Sequence, residues 1–258
     1  SGYYVPFVVV LLALIGRGVS FEFRGKVNSD KWRRTWDNVI FIGSVLPPFL
    51  FGVVFAGLLQ GLPIDGQMEM QAGWLDRVNV YTVTGGVTVT VLCLVHGLLF
   101  TTLRTVGDLQ QRARRMAQRL LVPLAVLLLA FGAMTATMTD VFQVRGGALS
   151  MMALVGIIAF LLAGYFISSK KDGWAFGMTG TVIVLAIAAV FVGLFPRVMI
   201  STIDSAFHLT IHNAASGPYS LKVMTIVALT LLPFVLAYQI WSYVVFRKRV
   251  HEKGHLEY

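Results

Sequence analysis

The sequence predicts an all-α polytopic membrane protein with seven transmembrane helices, and three observations carry that expectation. Apolar residues make up 57% of the chain and charged residues only 13%, where a soluble domain has about a quarter of its residues charged. The charges that remain fall in short clusters separated by long uncharged runs. Each run is close to the roughly 20 residues that a helix needs to cross the hydrocarbon core.

The runs can be taken in order. Residues 3–16 are uncharged, and small and apolar residues extend that run to Phe21, with Arg17 near its end. Uncharged runs then cover 38–64, 78–103, 120–139, 146–169, 173–196 and 223–246. The expected spans are 3–21, 38–60, 79–103, 120–139, 147–168, 174–196 and 223–246, within a single transmembrane domain over residues 1–258. Hydrocarbon offers no partner to an open backbone, so an apolar segment in it must satisfy its own amides as a helix. The alternating ten-residue segments of a β-barrel are not seen.

The connections alternate in charge. The 17–34 loop carries Arg17, Arg24, Lys26, Lys31, Arg33 and Arg34, and the 104–119 loop carries Arg104, Arg112, Arg114, Arg115 and Arg119. The 170–172 turn holds Lys170 and Lys171, and the tail holds Arg247, Lys248, Arg249 and Lys253. Between them lie loops poor in basic residues: 65–77 with Asp65, Glu69, Asp76 and Arg77; 140–145 with Asp140 and Arg145; and 197–222 with Arg197, Asp204 and Lys222. Cytoplasmic loops carry the Lys/Arg excess, so the first residue is expected outside and the C-terminus inside.

Composition also excludes function classes. The net charge of +9 sits at the ends of apolar runs, not on a basic face interleaved with exposed aromatics, which argues against a nucleic-acid partner. Cys93 is the single cysteine and lies in an apolar stretch, so it is expected as a buried thiol. One cysteine excludes an internal disulfide, a Cys-based zinc site and a CxxCH haem attachment. No connection exceeds about 26 residues, which leaves no room for a soluble nucleotide-binding domain. The chain opens Ser1-Gly2-Tyr3-Tyr4 and enters an apolar run at once, without Met or a basic n-region. That is not the make-up of a signal peptide; it reads as a sequence cut just before a helix.

Few residues can carry chemistry. His96 lies mid-span in Leu92-Cys93-Leu94-Val95-His96-Gly97, and an ionisable residue at membrane depth is a functional candidate. Haem ligation would need a second strong axial partner, and the spans offer no other His. Interhelical hydrogen bonding is the favoured reading, ahead of a polar or proton-conducting cavity. His208 and His212 have i, i+4 spacing, with Asp204 one turn earlier; on a helix they would share a face and suit a metal, although interfacial packing is preferred. Arg17, Glu22, Arg24, Trp36 and Asp37 gather where one helix exits and the next begins. Snorkelling charges beside an aromatic belt account for them, with Asp37 expected to cap the following helix; proton entry or subunit contact is the alternative. Thr82, Thr84, Thr88 and Thr90 with Gly85-Gly86, and likewise Gly177 and Gly180, read as close helix packing.

Several stretches resemble subunit II of cytochrome bd-type quinol oxidases. They are Arg17-Gly18-Val19-Ser20-Phe21-Glu22-Phe23-Arg24; Trp36-Asp37 followed by Ile40-Phe41-Ile42-Gly43-Ser44, Pro47-Pro48 and Leu59-Gln60-Gly61; and Arg104-Thr105-Val106-Gly107-Asp108-Leu109 with Arg112-Ala113-Arg114. Trp174-Ala175-Phe176, Phe195-Pro196, Leu209-Thr210, Ser220-Leu221-Lys222-Val223-Met224-Thr225, Pro233, Tyr238 and Trp241 continue the series. Each piece is weak alone, and their order and spacing over nearly the whole chain are specific.

The resemblance implies a nine-helix subunit of which seven are present, the first two, with the acidic and aromatic residues tied to a proton route in some relatives, falling before Ser1. It implies a bacterial or archaeal cell membrane and a partner, subunit I, that carries haem b and haem d, oxidises quinol and reduces oxygen to water. This chain would then be a haem-free stabilising subunit, with no catalytic, cofactor-binding or metal site of its own and with a small accessory subunit as a further partner. His96, Arg17, Glu22, Arg24, Trp36, Asp37 and Arg104 stand as polar-cavity or subunit-contact candidates. The rival class is a secondary transporter, which also breaks helices with Gly and Pro around mid-membrane polar groups. One His and almost no carboxylates in the spans count against it; a membrane scaffold unrelated to respiration is opposed by the resemblance alone.

Overall fold

In the computed structural model, which describes residues 3–67, 69–71, 73 and 78–245, the apolar runs are helices. They are α1 (Tyr4–Phe23), α2 (Asp30–Gln60), α3 (Val80–Arg104), α4 (Asp108–Met138), α5 (Val141–Ser168), α6 (Asp172–Leu194) and α7 (Pro218–Val245). All seven are long and apolar enough to cross a membrane. Asp76, Arg77 and the basic tail from Arg247 lie outside the described residues.

Helix and apolar run do not coincide. α2 begins at Asp30 and α4 at Asp108, eight and twelve residues ahead of the uncharged segments at 38 and 120. Charge forbids burial in hydrocarbon but not helix formation, and residues 108–119 are rich in Arg, Gln, Ala and Leu, all good helix formers. The 31 residues of α4 span about 46 Å at 1.5 Å per residue, well beyond the roughly 30 Å core. Gly107, at φ 80, supplies the backbone turn that separates α3 from α4. α7 opens at Pro218, a residue preorganised for the first helical position.

Large apolar side chains cover the outside, among them Leu12, Phe41, Val122, Leu161, Val184 and Phe234. A water-soluble chain would bury them; one solvated by lipid tails has no reason to. What holds the helices together is close backbone approach. A Cβ on Gly52 would stand 2.6 Å from the Gly85 carbonyl oxygen and 2.7 Å from Gly86 Cα, so α2 and α3 meet glycine to glycine, as small residues permit in lipid. Gly43 does the same for α1, where a Cβ would meet Ala13 O at 2.7 Å. Gly177 has nothing within 4 Å, which corrects the packing role expected of it: it lies on an exposed face of α6. Gly180 has only His96 Cε1 nearby, at 3.6 Å from the built Cβ.

Most of the Thr stripe acts within its own helix. Thr84, Thr88 and Thr90 hydroxyls donate to the carbonyls of Val80, Thr84 and Gly86, removing their polarity from the lipid. Thr82 completes a capping box with Asn79 at the start of α3.

Consecutive helices pack from α1 through α4, α5 pairs with α6, and α3 also crosses α6. The core between α3, α4, α5 and α6 is built from Leu92, Val95, Leu99, Ala117, Leu124, Ala159, Ile167, Ala175 and Val182. Near the opposite end of α3 a buried Tyr81 stacks on Phe131 and hydrogen-bonds the Thr135 hydroxyl at 3.0 Å. α4 and α5 touch more sparsely, leaving an apolar cavity of about 650 Å³ between α4, α5 and α6, closed at one end by Leu59 of α2. No described residue of α7 is buried.

One end of the bundle is capped by the loops poor in basic residues. β1 (Arg197–Met199) and β2 (Leu209–Thr210) pair antiparallel, and the segment after β1 is stitched to the 61–71 loop. Leu62 donates its N–H to Ile200 O and Thr202 donates to Leu62 O, both at 2.8 Å. The Ser201 hydroxyl donates to Ile64 O at 2.7 Å. Arg197 forks onto the Asp140 carboxylate, its Nη2 at 3.0 Å from Oδ1, joining this cap to the α4–α5 turn.

Candidate functional site

His96 sits on α3 facing α6. Its Nδ1 lies 2.8 Å from the Thr179 hydroxyl, and its ring stacks on Phe176 with centroids 4.2 Å apart. The Thr179 oxygen also donates to Phe176 O at 3.0 Å, so with both bonds made it accepts from a protonated Nδ1. The ring is thus part of an interhelical contact, and it is not among the residues lining the large cavity. That lining is apolar except at Thr135, whose hydroxyl is already committed to Phe131 O and Tyr81. Among the described residues the histidine carried on a helix, His96, is separate from the lining of this cavity, which offers no haem ligand of its own.

Cys93 is exposed, which corrects the expectation of a buried thiol. Leu92, Val95 and Leu99 are the inward residues of α3, and one step along a helix turns the side chain by about 100°, away from that face.

At the opposite, basic end, the α1–α2 turn is tightly built. Arg24 Nε donates to Asp37 Oδ1 at 2.6 Å. Trp32 Nε1 donates to Phe23 O at 2.8 Å, and Trp36 packs between Phe23 and Trp32 at 5.5 and 5.6 Å. The bond from Arg24 to Asp37 raises the Arg24 pKa above its ordinary value. Asp37 is not the cap expected of it: α2 starts a full two turns earlier, with Ser29 at its N-cap and Asp30 in its first turn, so Asp37 is a mid-helix residue holding the turn by an ion pair. Arg17 and Glu22 are exposed on α1, and the Arg104 guanidinium lies 5.3 Å over the Phe100 ring. The structure brings Arg24, Trp36 and Asp37 together, and places His96 and Arg104 on a different helix from them.

His208 and His212 do not share a helix face. A short 3-10 turn (Ser205–Phe207), capped at its start by the Asp204 carboxylate accepting from Ala206 N, ends at His208, whose backbone is extended and leads into β2. His208 Nδ1 accepts from Ser201 N at 3.0 Å, so it serves the loop stitching. Among the described residues no three His, Cys, Asp or Glu gather as a metal site.

One polar site was missed in the sequence. Arg114 of α4 forks onto Asp172 of α6, Nε to Oδ1 at 3.1 Å and Nη2 to Oδ2 at 2.6 Å. Gln110 reaches Asp172 Oδ2 at 3.4 Å and donates to Thr102 O of α3 at 3.0 Å. The side chains are 16% and 7% exposed, so this is a nearly dry ion pair tying three helices at the basic end. Its signal was Asp172 itself, a lone acid between two lysines and an apolar run.

The family described as cytochrome bd terminal oxidase subunit II matches residues 1–246. The chain is 57% identical to a cytochrome bd ubiquinol oxidase subunit 2 of Bacillus subtilis, over 100% of this chain and 76% of that protein. It is 30% identical to the cytochrome bd-I ubiquinol oxidase subunit 2 of Escherichia coli K12, over 94% of this chain and 73% of that one. With a family match over nearly all its length and relatives this similar, the chain belongs to the cytochrome bd terminal oxidase subunit II family.

Proposed function

We propose that this chain is the haem-free, stabilising subunit of a bd-type quinol oxidase. In this reading a partner subunit I carries haem b and haem d, oxidises quinol and reduces oxygen, while this chain packs beside it in a bacterial or archaeal cell membrane with its basic end and C-terminus in the cytoplasm. A small accessory subunit fits the same assembly. The observation that carries the reading is the end-to-end family match in a chain whose one helical histidine is bonded to Thr179 and stacked on Phe176. The transporter alternative is not favoured by that match.

Within this reading the Arg24–Asp37 pair and the Trp32–Trp36 cluster set the α1–α2 turn, Arg17, Glu22 and Arg104 serve subunit contact, and His96 serves packing. The test is the reduced-minus-oxidised haem spectrum of the complex carrying His96→Leu. The expected result is an unchanged haem content per assembled complex. Loss of one haem band from an assembled complex would place a haem ligand in this chain and overturn the proposal.

A further inference from the structure

The cavity between α4, α5 and α6 and the charges beside it form one continuous feature. At the basic end Arg114 ties α4 to Asp172 of α6 at 2.6 Å, and Leu121 of α4 meets α5, its Cδ1 3.6 Å from where a Cβ on Gly164 would lie. That end carries both acids already in use: Asp172 by Arg114 and Asp108 by Arg112. Arg115, Arg119, Lys170 and Lys171 are exposed there and, among the described residues, form no ion pair. Four uncompensated cations therefore stand at one end of two adjoining helices. The α1–α2 turn is as rich in Lys and Arg, but Glu22, Asp30 and Asp37 are interspersed with them.

The cavity begins at Ala125 on α4, six residues past Arg119, or about 9 Å along the helix. From there it runs to Thr135, about 15 Å further. Its rim residues Leu129, Ile157 and Leu161 are 66%, 50% and 64% exposed, so it is open to the bilayer side. At its basic end Trp174 and Tyr165, 64% and 61% exposed, flank Phe166, the amphipathic aromatics that sit at headgroup depth. A protein partner would have to bring acids to cover these cations. A lipid phosphate with a tail running into the apolar groove satisfies both parts at once.

We infer that this groove is a binding site for an anionic phospholipid, its phosphate held by Arg115, Arg119, Lys170 and Lys171 and an acyl chain lying between α4 and α5. The inference goes beyond the oxidase reading and is read out without turnover, so either can fail alone. The test uses the whole complex, delipidated in detergent and given phosphatidylglycerol or phosphatidylcholine with identical chains. Lipid retention is read by native mass spectrometry and stability by thermal unfolding.

Phosphatidylglycerol should be retained and raise the Tm while phosphatidylcholine does neither. Retention should fall roughly fivefold for each cation replaced by Gln. Arg115→Lys with Arg119→Lys should keep it, and Ala153→Phe, which fills the groove with every charge intact, should abolish it. Equal retention of the two lipids would overturn the proposal in favour of a neutral occupant. Undiminished retention in Ala153→Phe would reduce the site to a basic surface. Loss of the partner subunit in that variant with lipid preference intact would make the groove a subunit interface. If the Gln variants fail to assemble, the wild-type lipid comparison and Ala153→Phe decide the matter.

Discussion

Replacing Asp172 by Ala leaves the Arg114 guanidinium, 16% exposed, with its charge uncompensated at the junction of α4 and α6. Breaking a buried ion pair from one side costs about 3–5 kcal/mol. The lower end applies here, because a long Arg side chain at a helix end can turn toward water. Arg114→Met should cost a similar amount, since Asp172 is 7% exposed and keeps only the long 3.4 Å contact with Gln110 and the field of its own helix start. The double variant Arg114→Met with Asp172→Leu removes both charges and leaves apolar side chains of comparable bulk, an exchange that is often neutral. The expected pattern is about 3 kcal/mol for each single change and about 0–1 kcal/mol for the pair. Thermal unfolding of the assembled complex in detergent reads this as a fall of roughly 6–12 °C for each single variant and little change for the double. Additive losses in the double variant, or a single loss under about 1 kcal/mol, would refute the claim that the two groups act as a pair.

Gly52→Val should lower yield and Tm, with a cost of about 1–3 kcal/mol for overpacking, because its Cβ would lie 2.6 Å from Gly85 O; Gly97→Ala, with nothing within 4 Å, is the matched control. His96→Gln should preserve complex yield and His96→Leu or Thr179→Val should lower it, the lost bond being worth about 1 kcal/mol; full assembly of both His96 variants with loss of oxygen uptake would instead assign His96 to a proton path. The Asp65 carboxyl is held below the usual carboxylate range first by the Glu69 amide, against the opposing effect of desolvation, and then by Gln71 and the Gln67 amide. Its contribution is therefore present above the ordinary pKa of about 4 and lost as pH falls through the lower folded value, so exchange protection of the Glu69 and Gln67 amides should hold from pH 8 to 5 and disappear only in strong acid. In a Cys93→Ala background, Cys at Ser29 and Cys at Ser205 should react with an impermeant reagent from opposite sides of the membrane; labelling from one side rejects the proposed orientation.

The helices were legible because hydrocarbon removes the usual competition between local propensity and tertiary context: an uncharged run of spanning length has one available backbone state. The beginnings of α2 and α4 were not, since hydropathy marks where lipid ends and 108–119 continues as helix into water. The same limit hid the Asp37 role, because a cap was assigned to a residue two turns inside a helix whose start the apolar run did not mark. His96 was legible as an interhelical bond, yet its partner Thr179 lies 83 positions away, and only the crossing of α3 on α6 brings the two together. The exposure of Cys93 is hidden in the sequence for a related reason. In a spanning helix most residues on either face are apolar or small, so composition no longer separates the packed face from the lipid face, and burial has to be read from the glycine contacts and the inward Leu and Val positions.

That loss of contrast also explains where the polar energy of this chain is spent. Between the ends of the helices, hydroxyls such as Thr84, Thr90 and Thr181 turn back onto their own backbones; His96–Thr179 is a single bond across α3 and α6, and Tyr81–Thr135 joins the start of α3 to the last turn of α4. The ion pairs Arg24–Asp37, Arg114–Asp172 and Arg197–Asp140 lie toward the ends of the bundle, and each joins two different elements. Because the bilayer supplies no hydrophobic drive between helices, helix order rests on these pairs, on the interhelical hydrogen bonds and on close packing such as the glycine seam of α2 and α3. Among the described residues α7 has neither: no residue of it is buried, and no ion pair reaches it.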